Sequence, residues 1–152
     1  MKKLIKRREI PIGNSVSNHP LLDRLYRARR IQNTKELDRT LKSMLNPNQL
    51  YGIDQAVNLL VEAYQQQQKI VIVGDFDADG ATSTALSVLA LRQLGFSDVD
   101  YLVPNRFEQG YGLSIPVAEM ALEKGVQLLM TVDNGVSSFE GIAFLKEKGI
   151  RV

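Results

Sequence analysis

The 152-residue sequence has no cysteine and only one histidine, His19. Without cysteine, disulfides, thiolate metal sites and thiol redox catalysis are all excluded. No apolar run approaches the roughly 20 residues that a membrane span requires. The basic start, MKKLIKRREIPIG, lacks the apolar stretch of a signal peptide. A cytoplasmic setting, with no membrane partner, is the expectation. What is present is ordinary for a globular chain: 44% hydrophobic and 24% charged residues. The length suits one domain with a real core.

Net charge is only +2, but it is divided unevenly along the chain. Residues 1–50 hold 12 Lys/Arg against 4 Asp/Glu, and residues 51–152 hold 7 against 13. A basic lead joined to an acidic body suggests polyanion attraction at one end and cation binding at the other. A solvated basic helix surface would give the same count.

The domain reading follows this division: a basic, mainly helical lead over 1–50 and an α/β unit over 51–152. Leu21, Leu22, Leu25 and Tyr26 repeat at helical spacing after Pro20. A short helix is expected from an N-cap at Thr34 through Leu41, followed by a break at Asn46-Pro47-Asn48. His19, just before the first helix, is expected to flank it on the surface. Residues 53–66 form a stronger amphipathic pattern. From Lys69 onward strands and helices alternate. Strands are expected at Lys69–Val73, Val99–Val103, Val126–Val132 and from Ile150; helices at 81–94, 115–124 and 138–148. This β-α-β-α-β-α-β order predicts an α/β fold with a parallel sheet and flanking helices. Ligands of such sheets lie beyond the carboxyl ends of the strands. Asp75–Asp79, Asn105–Gly112 and Asp133–Gly135 all fall there and should share one cleft.

The first of these loops lies in IVIVGDFDADGATST, residues 70–84. Three alternating carboxylates in five residues repel one another and call for a cation. A calcium helix-loop-helix fails, because its twelfth position would be Leu86 and its leading helix is a strand. An aspartyl-phosphate phosphatase would use Asp77 and Asp79, but leaves Asp75 redundant and Asp133 unexplained. A Mn²⁺ or Mg²⁺ cluster accounts for all of them, since hard carboxylate oxygens suit these ions and a pair of ions can bridge a phosphoester. Gly80 would allow a tight turn, after which the N–H groups of Ala81, Thr82 and Ser83 would face a phosphate. Turn formation or helix capping is the bland alternative for each aspartate.

VGDFDADGATST, YLVPNRFEQGYGLS and TVDNGVSS together resemble the first motifs of the DHH-type phosphoesterases. The likeness is to the RecJ-type single-stranded-DNA exonucleases of bacteria, and it covers roughly residues 20–152. It implies a DHH-domain-like fold and Mn²⁺- or Mg²⁺-dependent hydrolysis of single-stranded DNA from the 5′ end, in recombination and DNA repair. Asp77, Asp79 and Asp133 are then the catalytic metal ligands, and Asp75 is a further ligand or a neighbouring charge. Single-stranded DNA is the implied partner, with a single-strand-binding protein and a helicase beside it.

Residues placed for substrate or phosphate are Ser83, Asn105, Arg106, Tyr111, Gly112 and Asn134. Arg106 would clamp a phosphate with its fork of donors, or form a salt bridge to Glu108 or another acid. Tyr111 would stack on a base or pack under its loop. Asn134-Gly135 would also serve as a tight turn. The Asp-His-His motif that names the family is expected one strand beyond Asp133, and the chain ends within that strand. The expectation is therefore an amino-terminal portion, with little activity by itself. Competing readings are a phosphodiesterase for oligonucleotides or dinucleotides, and a non-catalytic nucleic-acid-binding fragment.

Overall fold

The computed structural model describes Lys6 and residues 9–152, and these divide into two compact units, with the boundary between Tyr51 and Gly52. In the first unit, Pro20–Ala28 forms helix α1, with His19 as its N-cap. The imidazole Nδ1 accepts the Leu22 N–H at 3.4 Å. Asp23 ties the preceding segment to this helix by accepting the Val16 N–H at 2.7 Å and the Ser15 hydroxyl at 2.9 Å. Val16 is the buried hydrophobic residue of this unit among those described.

The helix expected over 34–41 is instead a 3₁₀ turn, Thr34–Leu37, and its cap is Asn33 rather than Thr34. Asn33 and Glu36 close a capping box, each side chain satisfying main-chain N–H groups of the other's end. The Asp38 carboxylate then takes the Thr40 N–H at 2.9 Å, which holds the chain extended and stops the helix. Leu41–Ser43 and Pro47–Gln49 are two further 3₁₀ turns, the second at the expected break.

The second unit carries the sheet. Its elements are α2 (Ile53–Gln65), β1 (Ile70–Val73), α3 (Ala78–Gln93), β2 (Val99–Leu102), α4 (Ile115–Glu123), β3 (Leu128–Thr131) and α5 (Phe139–Glu147). The strands are parallel in the order β2-β1-β3, with Ile70 opposite Val99 on one side and Leu128 on the other. The fourth strand expected from Ile150 amounts to a single parallel bridge, Arg151 to Leu128.

All four residues of β1 are completely buried, because the central strand has a core on each face. Val71 and Val73 pack with Leu102, Leu129, Val117, Ala121 and Leu145, so α4 and α5 cover that side. Ile70 and Ile72 pack with Ala63, Val88, Leu91, Val99 and Leu128, under α2 and α3. The chain leaves β1 through α3 to reach β2 on one flank, then returns through α4 to β3 on the other. Strand order therefore reverses at β1, and the crevice of a parallel sheet opens at that reversal, outside the carboxyl ends.

Helix α3 starts at Ala78, three residues before the expected position. Asp77 is the N-cap and its side chain accepts the Gly80 N–H at 3.0 Å. Gly80 is thus a helical residue and not the turn former expected from the sequence. Its reason is contact: a Cβ there would fall on the main chain of Asp75. The expected donors at Ala81–Ser83 shift with it, since the Ala81 N–H already bonds Asp77 O at 2.8 Å.

Candidate metal centre

The carboxyl ends of β1 and β3 bring Asp75, Asp77 and Asp133 together. Each offers a carboxylate oxygen, and these atoms lie within 4.8 Å of one another. Asp75 lies two residues past the end of the strand and is buried, at 7% exposure, while Asp77 and Asp133 are exposed. Asp79 sits in the first turn of α3, outside that group of three but close enough to act on Asp133 electrostatically.

Asp133 is held in the left-handed backbone region, with φ at 60°. Few residues besides Asn, Asp and Gly tolerate this conformation. Gly135 follows with φ at 104°, and a side chain there would strike Thr131. The local chain is therefore bent sharply enough to turn the Asp133 carboxylate toward the loop after β1. Partial desolvation, then the charges of Asp77, Asp79 and Asp75 and a hydrogen bond with Asp77, push the Asp133 pKa above the ordinary carboxylate range.

Among the described residues, Arg106 is the cation paired with this acidic end. Arg106 reaches back from the loop after β2 and its Nη2 donates to both oxygens of Asp75, at 3.3 and 3.1 Å. Its guanidinium lies 4.0 Å from the centre of the Phe76 ring and 5.3 Å from that of Tyr111. Such packing holds a planar cation by charge–quadrupole attraction and removes freedom from a long side chain. The ion pair to a neighbouring acid, one of the two expectations for Arg106, forms with Asp75 and not with Glu108. Phe76 was not among the expected site residues. Its signal was its place between Asp75 and Asp77 combined with a large exposed apolar surface, 53%.

The remaining expected residues fall around this centre in distinct ways. Tyr111 is exposed beside Arg106. Asn105 shapes its own loop: its Oδ1 accepts the Phe107 N–H at 3.1 Å and its N–H bonds Gln109 Oε1 at 2.6 Å. Ser83 turns inward along α3, donating to Asp79 O at 2.7 Å. Gly112 is buried against Asn134 and Ser138. Ser138, also outside the expected set, accepts the Leu113 N–H at 3.2 Å and so fixes the end of the Arg106 loop. Asn134 donates through Nδ2 to Val73 O at 3.1 Å and Val132 O at 3.0 Å.

These donors fit a hard divalent cation. All three are carboxylate oxygens, the class that Mg²⁺ and Mn²⁺ prefer. A metal–oxygen distance near 2.1 Å places opposite ligands about 4.2 Å apart, so a span of 4.8 Å closes with a small adjustment. The raised pKa of Asp133 points the same way, because a cation offsets both the desolvation that leads the shift and the carboxylate repulsion that adds to it.

Known proteins share this sequence and this fold. The chain is 96% identical over 152 residues to the single-stranded-DNA-specific exonuclease RecJ of Haemophilus influenzae, covering all of the chain and 26% of that protein. It is 55% identical over 133 residues to the Escherichia coli protein of the same name, covering 88% of the chain and 23% of the relative. The chain thus spans about a quarter of the length of these relatives. Among solved structures, exonuclease RecJ bound to manganese aligns with a TM-score of 0.62 at 38% identity, over 70% of this chain and 27% of that one. RecJ of Thermus thermophilus in complex with Mn²⁺ aligns at 0.57 and 34% identity, over 82% and 17%. The DHH family, N-terminal domain, matches residues 69–152, which hold the whole sheet, Arg106 and every carboxylate of the cluster. On that match and on the fold that carries it, the chain belongs to the DHH family.

Proposed function

We propose that this chain contributes the first part of a metal-dependent phosphodiesterase site that hydrolyses single-stranded DNA from its 5′ end, in recombination and repair. The convergence of Asp75, Asp77 and Asp133 at the strand-order reversal is the observation that carries the reading. The names of the relatives, single-stranded-DNA-specific exonucleases and manganese-bound structures among them, support it.

In this reading Asp77, Asp79 and Asp133 are catalytic metal ligands and Asp75 is a ligand also held by Arg106. A bound Mn²⁺ or Mg²⁺ supplies charge neutralisation and an acidified water for attack on phosphorus. The chain's own residues do the rest. Asp77 caps α3, so the first turn of that helix is fixed relative to the carboxylates. Arg106, steadied by Phe76 and Tyr111, pairs with Asp75 and holds a guanidinium beside the carboxylates. The exposed Phe76, Tyr111 and Phe107 rings offer base-stacking surfaces that tolerate any sequence. Residues 1–50 act as a basic lead and 51–152 as the α/β portion. Single-strand-binding protein, a helicase and a cytoplasmic setting complete the proposal, with little hydrolysis by the 152-residue chain alone.

The test joins this chain in frame to the remainder of the Haemophilus influenzae relative and follows release of nucleotides from 5′-phosphorylated single-stranded DNA. Mn²⁺-dependent release is expected, with a loss of at least about a thousandfold for Asp77→Ala, the order of several kcal/mol of charge stabilisation. Unchanged release in Asp77→Ala and Asp133→Ala would remove these residues from the chemistry.

A further inference from the structure

We propose that Asn134 is a positioning residue, whose side-chain amide fixes Asp133 against Asp75 and Asp77; this rests on the metal-centre reading above. The two loops that carry these aspartates separate where β1 and β3 end. Up to that point main-chain bonds hold the strands, the last being the Val132 N–H to Val73 O at 3.0 Å. In a continued parallel ladder the Val132 carbonyl would accept the N–H of the residue two beyond Val73. That residue is Asp75, where the chain is already turning into the acidic loop. The Asn134 amide takes this place: its Nδ2 bonds Val132 O at 3.0 Å and Val73 O at 3.1 Å. A side chain therefore adds one more rung between the two strands after the backbone has stopped pairing.

Several details make this rung a matter of position. Val73 lies two residues before Asp75, and Val132 immediately precedes Asp133. The amide thus clamps the bases of both loops with one group. Asp133, between Val132 and Asn134, sits at φ 60°, a conformation it keeps only when its neighbours are held. The amide orientation is set by the two carbonyls, since the opposite assignment would place Oδ1 against both of them. Both Nδ2 hydrogens are committed, and the buried Oδ1 has no partner among the described residues. It faces Gly112, which links the clamp to the loop that carries Arg106. An aspartate could not replace this residue, because it has no hydrogens to give the two carbonyls.

The inference is tested on the 152-residue chain with Asn134→Ala and Asn134→Leu, beside Leu91→Ala as a control in the other core, which does not include Val73. Two measurements are made: amide exchange at Val132 in metal-free protein, and Mn²⁺ affinity by electron paramagnetic resonance. Both Asn134 variants are expected to speed exchange at Val132 by about tenfold beyond the control, as local opening becomes easier. Mn²⁺ affinity is expected to fall about 10- to 100-fold, the usual effect of losing a group that orients a ligand. Asp133→Asn in parallel reports on the metal reading itself. If the unaltered chain takes up no Mn²⁺, its three carboxylates do not hold the ion by themselves, and the exchange result alone then decides the role of Asn134. Protection at Val132 equal to that of the unaltered chain, or a loss of Mn²⁺ affinity no larger than in Leu91→Ala, would overturn the inference.

Discussion

Asp98 and Asp100, at the start of β2, each face a lysine, whereas the aspartates beyond β1 and β3 mostly face one another. Lys69 lies 3.5 Å from Asp98 and Lys124 lies 2.7 Å from Asp100. The bond from Lys124 draws the Asp100 pKa below its ordinary value. Asp133 shifts the other way, and Arg106 is the cation that reaches its cluster, through Asp75. The same side chain in one sheet unit is thus neutralised in one place and crowded in another. Crowding persists because the apolar body of the sheet holds the strands without help from charge. A fold that relied on paired carboxylates everywhere would have none left to offer a cation.

The sharpest way to break this comparison is to weaken the apolar body. Ile72→Ala removes a completely buried side chain from the central strand and is expected to cost about 2–5 kcal/mol in urea unfolding. A cost no larger than that of deleting a lysine pair would mean that charge, after all, holds the sheet. Next in size is Gly80→Ala. Alanine is the better helix former by about 1 kcal/mol, yet its Cβ meets the Asp75 main chain, and a net loss of about 1–3 kcal/mol is expected. A stabilised variant would show that the loop after β1 yields easily.

The smallest effects have opposite signs and sharpen the comparison most. Asp100 has a folded pKa below 3.8, so its pairing stabilises above that value and is lost as pH falls through the folded pKa. Its side chain is about a third exposed, which limits the loss in Asp100→Asn to about 0.2–1 kcal/mol at pH 7. Asp133 has a folded pKa above 3.8, so its ionisation opposes folding, an effect that sets in as pH rises through 3.8 and is complete above the raised value. Metal-free Asp133→Asn should therefore be the more stable protein at pH 7. Both differences should shrink on acidification, that of Asp133 first, because its folded pKa lies above 3.8 and that of Asp100 below it. Melting curves in chelator, followed from pH 7 into the acid range, read the two signs side by side, and equal signs would refute the distinction.

Much of this was legible in the sequence, for reasons that differ by element. The run IVIV reads as a strand buried on both faces, and it is one. The alternation after Lys69 supplies the parallel sheet, and the loops at the strand ends follow from it. The start of α3 was misplaced because Gly80 was read as a turn former, when its small size serves a close approach between segments. The 34–41 stretch reads as one helix because Thr34 can serve as an N-cap. The competing bonds of Asn33, Glu36 and Asp38 are local and stronger there. The Arg106–Phe76–Tyr111 stack and the Asn134 amide rung join residues far apart in the chain, and no periodicity encodes them.

Central β1 has one further consequence. Its isoleucines and valines point to different cores, and the carboxylates begin two residues after its end. Sliding this strand by one residue would exchange the two cores and carry Asp75 and Asp77 about 3.3 Å along the strand axis, beyond reach of Asp133. The hydrophobic packing therefore works as a ruler, setting the spacing of charges that it never touches.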